Sequence, residues 1–151
     1  MLIVDSKEIG GDSPTSATLQ YQVRVPIQSD ADVLLVRQLG RNLAVEMSYS
    51  STEVAFIATA ISELARTLLS HVGRGEMWLQ AVHDNRRSGV AIVARDSAPD
   101  GTDDDEVPRD GGAEPPSLHL GSPDVYRLVD EFTVESEPGQ GTTITAIKWR
   151  Q

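Results

Sequence analysis

Glu63 and Thr67 are the first residues whose types and spacing suggest chemistry. Four positions apart on a helix, they share one face, so a carboxylate able to take a proton stands one turn from a hydroxyl able to bind or donate. Asp96 closes an apolar run, and Gly139-Gln140-Gly141-Thr142-Thr143 sets two hydroxyls behind a glycine turn. Each has a plainer reading: a polar helix edge, a strand-end turn aspartate, turn glycines. The residues alone favour the plainer one. His71, His83 and His119 are too scattered for a metal cluster, and no cysteine assists them. Asp103-Asp104-Asp105-Glu106 lacks the ligand spacing of a calcium loop and reads as solvated charge.

The element that must position the first pair is the longest helical pattern, about Glu53 to His71. Ile57, Ile61, Leu64 and Leu68 recur along it at three- and four-residue intervals. Ser50 with Glu53 is a capping-box signal at its start, and Gly73 or Gly75 supplies the left-handed residue after its end. An earlier helix opens at Ser29 and Asp32 and carries the stripe Val33, Val36, Leu39, Leu43 and Met47. Before it, Leu19, Tyr21, Val23 and Val25 alternate with polar residues in a strand that ends at Pro26 and is expected to lie at an edge or pair early. After the central helix, Glu76 to His83 and Gly89 to Arg95 form a hairpin around the charged turn 84–88, and its second strand delivers Asp96. A third helix is expected over Pro123 to Phe132. A terminal hairpin follows, its last strand placing Ile144, Ala146 and Lys148 on one face and Thr143, Thr145, Ile147 and Trp149 on the other.

This order predicts an α/β fold, an α+β two-layer sandwich with a mixed sheet and three helices on one face. Residues 1–18 are expected to be a flexible or weakly paired arm and 19–151 the domain. Acidic residues, prolines and glycines fill a long mobile loop from residue 97 to about 122. A chain of 151 residues suits one domain that needs no staple, and the lack of cysteine fits a reducing, cytoplasmic setting. No apolar run is long enough to span a membrane. A formal charge of -10 opposes nonspecific binding to nucleic acid or anionic lipid. An anionic ligand would therefore need a local site of backbone N–H groups and a metal ion.

Three segments together resemble one family: Arg37-Gln38-Leu39-Gly40-Arg41-Asn42, Ala60-Ile61-Ser62-Glu63-Leu64-Ala65-Arg66, and Arg127-Leu128-Val129-Asp130-Glu131-Phe132 running into Gly141-Thr142-Thr143. They are similar to the RsbT-like switch kinases, relatives of the anti-sigma-factor kinases within the histidine-kinase-like (GHKL) ATPase superfamily. The similarity runs from about Val25 to Arg150. It implies a Bergerat-type ATPase fold and a cytoplasmic serine/threonine kinase that uses ATP and Mg²⁺ to phosphorylate a STAS-domain antagonist protein. The freed kinase would then activate a serine phosphatase of the RsbU type in a partner-switching stress response. By resemblance, Glu63 is the catalytic carboxylate and Asp96 the acceptor for the adenine amino group. Gly121 would belong to the lid's phosphate motif, while Gly141, Thr142 and Thr143 line the adenine pocket. Arg37, Arg41 and Arg66 would lie on the partner-facing surface.

The departures are as specific. The family has asparagine, a Mg²⁺ ligand, where Thr67 stands. Ala98 and Asp100 occupy the glycine positions that follow Asp96, and Ser117 and His119 replace two of three lid glycines. Ala98 adds a β-carbon where backbone should approach nucleotide. Two readings follow: an active ATP-dependent kinase, or a catalytically degenerate relative (a pseudokinase) that keeps the fold and acts as a binding module for a STAS-domain protein or serine phosphatase.

Overall fold

The computed structural model describes residues 2–3, 18–71, 73–96, 123–137 and 141–150. Their elements are β1 (Leu2–Ile3), β2 (Thr18–Ile27), α1 (Asp30–Glu46), α2 (Ser51–His71), β3 (Gly75–Asp84), β4 (Arg87–Asp96), α3 (Pro123–Leu128), β5 (Glu131–Glu137) and β6 (Gly141–Trp149). The expected loop over 97–122 lies outside the described residues, and so does most of the expected N-terminal arm.

The strands form one sheet in the order β1-β2-β3-β4-β6-β5. Side chains alternate across it. Val23, Val25, Ile27, Met77, Leu79, Val90, Ile92, Ala94, Ile144 and Ala146 face the helices, and they share one core with Val33, Val36 and Leu43 of α1, Ile57, Ile61, Leu64 and Leu68 of α2, and Val125 of α3. The two-layer sandwich with its helices on one face is thus the observed fold. A smaller cluster of Val82, Ala91, Ile147 and Trp149 occupies the opposite face. There the Trp149 indole donates to Glu131 Oε2 at 2.8 Å and the Arg87 guanidinium stacks 3.9 Å from the ring centroid.

The mixed sheet requires correction, because every pairing among the described strands is antiparallel. Two helices, not one, connect β2 to β3, so the chain returns to the end it left and β3 must run against β2. β5 does run in the direction of β4, but the terminal hairpin lays β6 between them. The parallel relation survives without a parallel pair.

Local signals explain the element ends. Asp32 accepts from the Gln28 and Ser29 N–H groups at 2.8 and 3.1 Å. In a reciprocal box, Glu53 N–H donates to Ser50 Oγ and Ser50 N–H to Glu53 Oε1, both at 3.1 Å. Gly73 takes φ +93° and returns its N–H to Leu68 O. The third helix is shorter than expected, since Phe132 lies in β5. Asp130 N–H donates to Ile147 O at 2.9 Å, and Asp130 Oδ2 accepts the Trp149 N–H at 2.7 Å, which diverts the chain from helix to sheet. The turn between β3 and β4 is also tighter, with Asp84 paired directly to Arg87.

Candidate functional site

The direction of α2 over the sheet fixes which residues can meet. Near its start, the Tyr49 hydroxyl donates to Lys148 O at 2.6 Å and Lys148 Nζ sits 5.8 Å from the Phe56 ring centroid. Near its end, Leu68 lies against Gly75, where a β-carbon would come within 2.9 Å of Leu68 Cδ2 and 2.7 Å of Arg95 O. Gly75 is the register partner of Asp96. The half of α2 that carries Glu63 and Thr67 therefore overlies the sheet end where β4 finishes and β6 begins.

Asp96 is 8% exposed and Thr142 is 3% exposed at that end. The Thr142 N–H donates to Asp96 Oδ1 at 3.1 Å. Gly141 makes this approach possible. Its φ of +83° belongs to the left-handed region, and a β-carbon there would overlap Asp96 Oδ1. On the other side Thr142 Oγ1 lies 3.0 Å from Ser136 Oγ, directly across the β5–β6 pair. Gly75, Asp96, Thr142 and Ser136 thus form one row across β3, β4, β6 and β5 on the helix-facing side.

On α2, Glu63 and Thr67 are both half-buried. The Thr67 hydroxyl donates to Glu63 O at 2.7 Å, and the Ser62 hydroxyl similarly to Ala58 O at 3.0 Å. Such bonds return a side chain to its own helix. As a donor Thr67 is committed, while its oxygen lone pairs stay available to accept or to bind a metal-held water. Among the described residues no three His, Asp or Glu side chains converge. A magnesium ion here would rest on phosphate oxygens and water, with Glu63 and Thr67 at most around it.

The structure therefore brings Asp96, Gly141 and Thr142 together, with the Glu63–Thr67 half of α2 above the same end. Thr143 is not in that group, for it alternates to the opposite face beside Arg95. Ala98 and Gly121 lie outside the described residues. Two contributors went unnoticed in the sequence. Gly75 was legible only as a possible cap, and Ser136 carried no signal beyond its place in the expected strand from Phe132 to Glu137. Only the cross-strand register joins Ser136 to Thr142.

No family model matches the chain. Among curated proteins, the serine/threonine-protein kinase RsbT of Bacillus subtilis (strain 168) is 42% identical to it over 125 residues, which cover 83% of this chain and 94% of that protein.

Proposed function

This chain belongs to the RsbT-like family of serine/threonine-protein kinases, and from that premise we propose that it binds ATP at the Asp96 end of the sheet and transfers the γ-phosphoryl group to a serine or threonine of a STAS-domain partner. The observation that carries the reading is the buried Asp96 carboxylate, held through Oδ1 by the Thr142 N–H over a glycine with no room for a β-carbon. With Oδ1 engaged, Oδ2 is the acceptor for an adenine amino group. A base that cannot donate there would leave a buried carboxylate oxygen unpaired, which is the physical source of selectivity. Gly141 and Thr142 would lie beside the same base.

Glu63 would act on the attacking hydroxyl. The carboxylate takes or orients its proton, the hydroxyl oxygen bonds to the γ-phosphorus, the bond to the β-phosphate oxygen breaks and ADP leaves. A positioned general base contributes about 10² to 10⁴ in rate. Magnesium, when bound, would neutralise charge on the phosphates. Arg37, Arg41 and Arg66 suit a partner-facing surface. The pathway placement, a cytoplasmic switch whose release activates a serine phosphatase of the RsbU type, rests on family membership. No helix among the described residues is long and apolar enough to cross a membrane.

The commitment of the Thr67 hydroxyl to Glu63 O favours a second reading, a degenerate relative that binds partners without nucleotide chemistry. Calorimetry with Mg-ATP, beside phosphoryl transfer to a STAS-domain protein encoded near it, separates the two. We expect binding by both wild type and Glu63→Gln, with transfer lost by about 10²-fold or more in the variant. No heat at millimolar ATP would sink the kinase reading and leave the binding module.

A further inference from the structure

We propose that the outer edge of β5 is a docking site for a partner protein, which adds to the sheet a strand of alternating apolar and basic residues. Among the described strands β5 ends the sheet, beside β6. At the opposite end β1 covers β2 at Val23 and Gln22. β5 keeps an unbroken register with β6 from Glu131 to Glu137, and it contains neither proline nor lysine. Thr133, Val134, Glu135 and Ser136 are all exposed. Such an edge offers a row of backbone N–H and C=O groups to another chain, and proteins usually break or cover it.

The two faces of β5 define what that chain must carry. Phe132 and Val134 stand opposite the core residues Ala146 and Ile144, so they turn to the helix side. There Val134 is 36% exposed and Tyr126 of α3 is 62% exposed, with the Tyr126 ring set edge-on to Phe132 at 5.8 Å between centroids. This apolar ledge suits valine, isoleucine or leucine at alternate positions of an added strand. The other face carries Glu131 opposite Ile147 and Glu135 opposite Thr143. Residues 130–137 include four carboxylates and no basic group, in a chain of formal charge -10. Lysine or arginine at the intervening positions of the partner would meet opposite charge. A second copy of β5 would set glutamate against glutamate, which disfavours self-pairing and selects a basic partner. Docking here needs no nucleotide, so it holds for an active kinase and for a binding module alike.

The probe is a fluorescent peptide of about seven residues alternating valine and lysine, titrated against the full chain by anisotropy. We expect saturable binding, with amide hydrogen exchange slowed within residues 131–137. N-methylation of the peptide's backbone amides keeps its charges and removes its donors, and should weaken binding by about tenfold or more. Glu135→Lys, at an exposed position outside the Asp96 row, should weaken it by about three- to tenfold with the thermal midpoint nearly unchanged. The methylated peptide keeps the test on the wild-type protein should that variant fold poorly. Equal affinity for the methylated and unmethylated peptides would reduce the effect to attraction between charges and overturn the docking strand. Absence of binding at millimolar peptide overturns it too, and so does self-association of the chain through β5, which would make a second copy the occupant.

Discussion

Gly141 shows how one missing atom can organise a site. Its φ of +83° disfavours any L side chain, and the space of its absent β-carbon is filled by the Asp96 carboxylate. Gly141→Ala should therefore cost at least about 1–2 kcal/mol from the backbone alone, and Asp96 must also move away from the Thr142 N–H. We expect a thermal midpoint lowered by several degrees and, on the nucleotide reading proposed above, weakened ATP binding; a variant as stable as wild type would show that the approach is not tight. Chemistry at this scale was only partly legible in the sequence. The end of the apolar run marked Asp96, and glycine preceding threonine marked the turn, yet nothing in residue order says that Thr142 faces Asp96 while Thr143 faces away. That depends on strand register, in which a slip of one residue exchanges the two faces. Thr67 illustrates the converse: its spacing from Glu63 was plain, but its hydroxyl bond to the Glu63 carbonyl is a rotamer choice that spacing does not encode.

At the scale of elements, the junction between α1 and α2 carries a residue in an unfavourable conformation. Ser48 takes φ 66°, with its N–H on Val45 O at 3.0 Å and the Tyr49 N–H on Ala44 O at 3.1 Å. These are the two bonds of a Schellman turn, whose left-handed position favours glycine. Ser48→Gly should raise stability by about 0.5–1 kcal/mol, since relief of the left-handed strain exceeds the added chain entropy. A denaturant midpoint that falls would refute this. The helices themselves were legible because stripes and caps agree: Ser50 with Glu53 predicted a box that forms in both directions, and Ile57, Ile61, Leu64 and Leu68 are all buried. The third helix was misjudged at its end. Val129 and Phe132 continue a helical spacing from Val125 and Leu128, and only the tertiary bonds of Asp130 to β6 stop it. The close crossing of α1 and α2 also depends on a residue no stripe reveals, since a β-carbon on Gly40 would overlap Ile61 Cδ1.

Across the whole molecule, Tyr49 ties the helical layer to the last strand. It is 6% exposed, and its hydroxyl reaches Lys148 O across 99 positions of sequence. Burial raises the phenol above its ordinary value of 10, with Glu53 and Asp130 adding to the rise while the Val90 backbone and Arg150 oppose it. The sign for stability follows directly. Below pH 10 the tyrosine is protonated in folded and unfolded chains alike, and its contribution is complete. Above pH 10 the unfolded chain releases the proton while the folded one retains it, so the unfolded state binds fewer protons and stability falls as pH rises, by up to about 1.4 kcal/mol per pH unit for this group. Tyr49→Phe removes that dependence. It should cost about 0.5–1.5 kcal/mol at pH 8 through the lost bond to Lys148 O, and lose less than wild type between pH 8 and pH 11. Denaturant unfolding at both pH values measures the two differences. Equal losses in wild type and variant would mean that Tyr49 ionises in the folded protein as readily as in water, and that the contact between the α1–α2 junction and β6 opens without global unfolding.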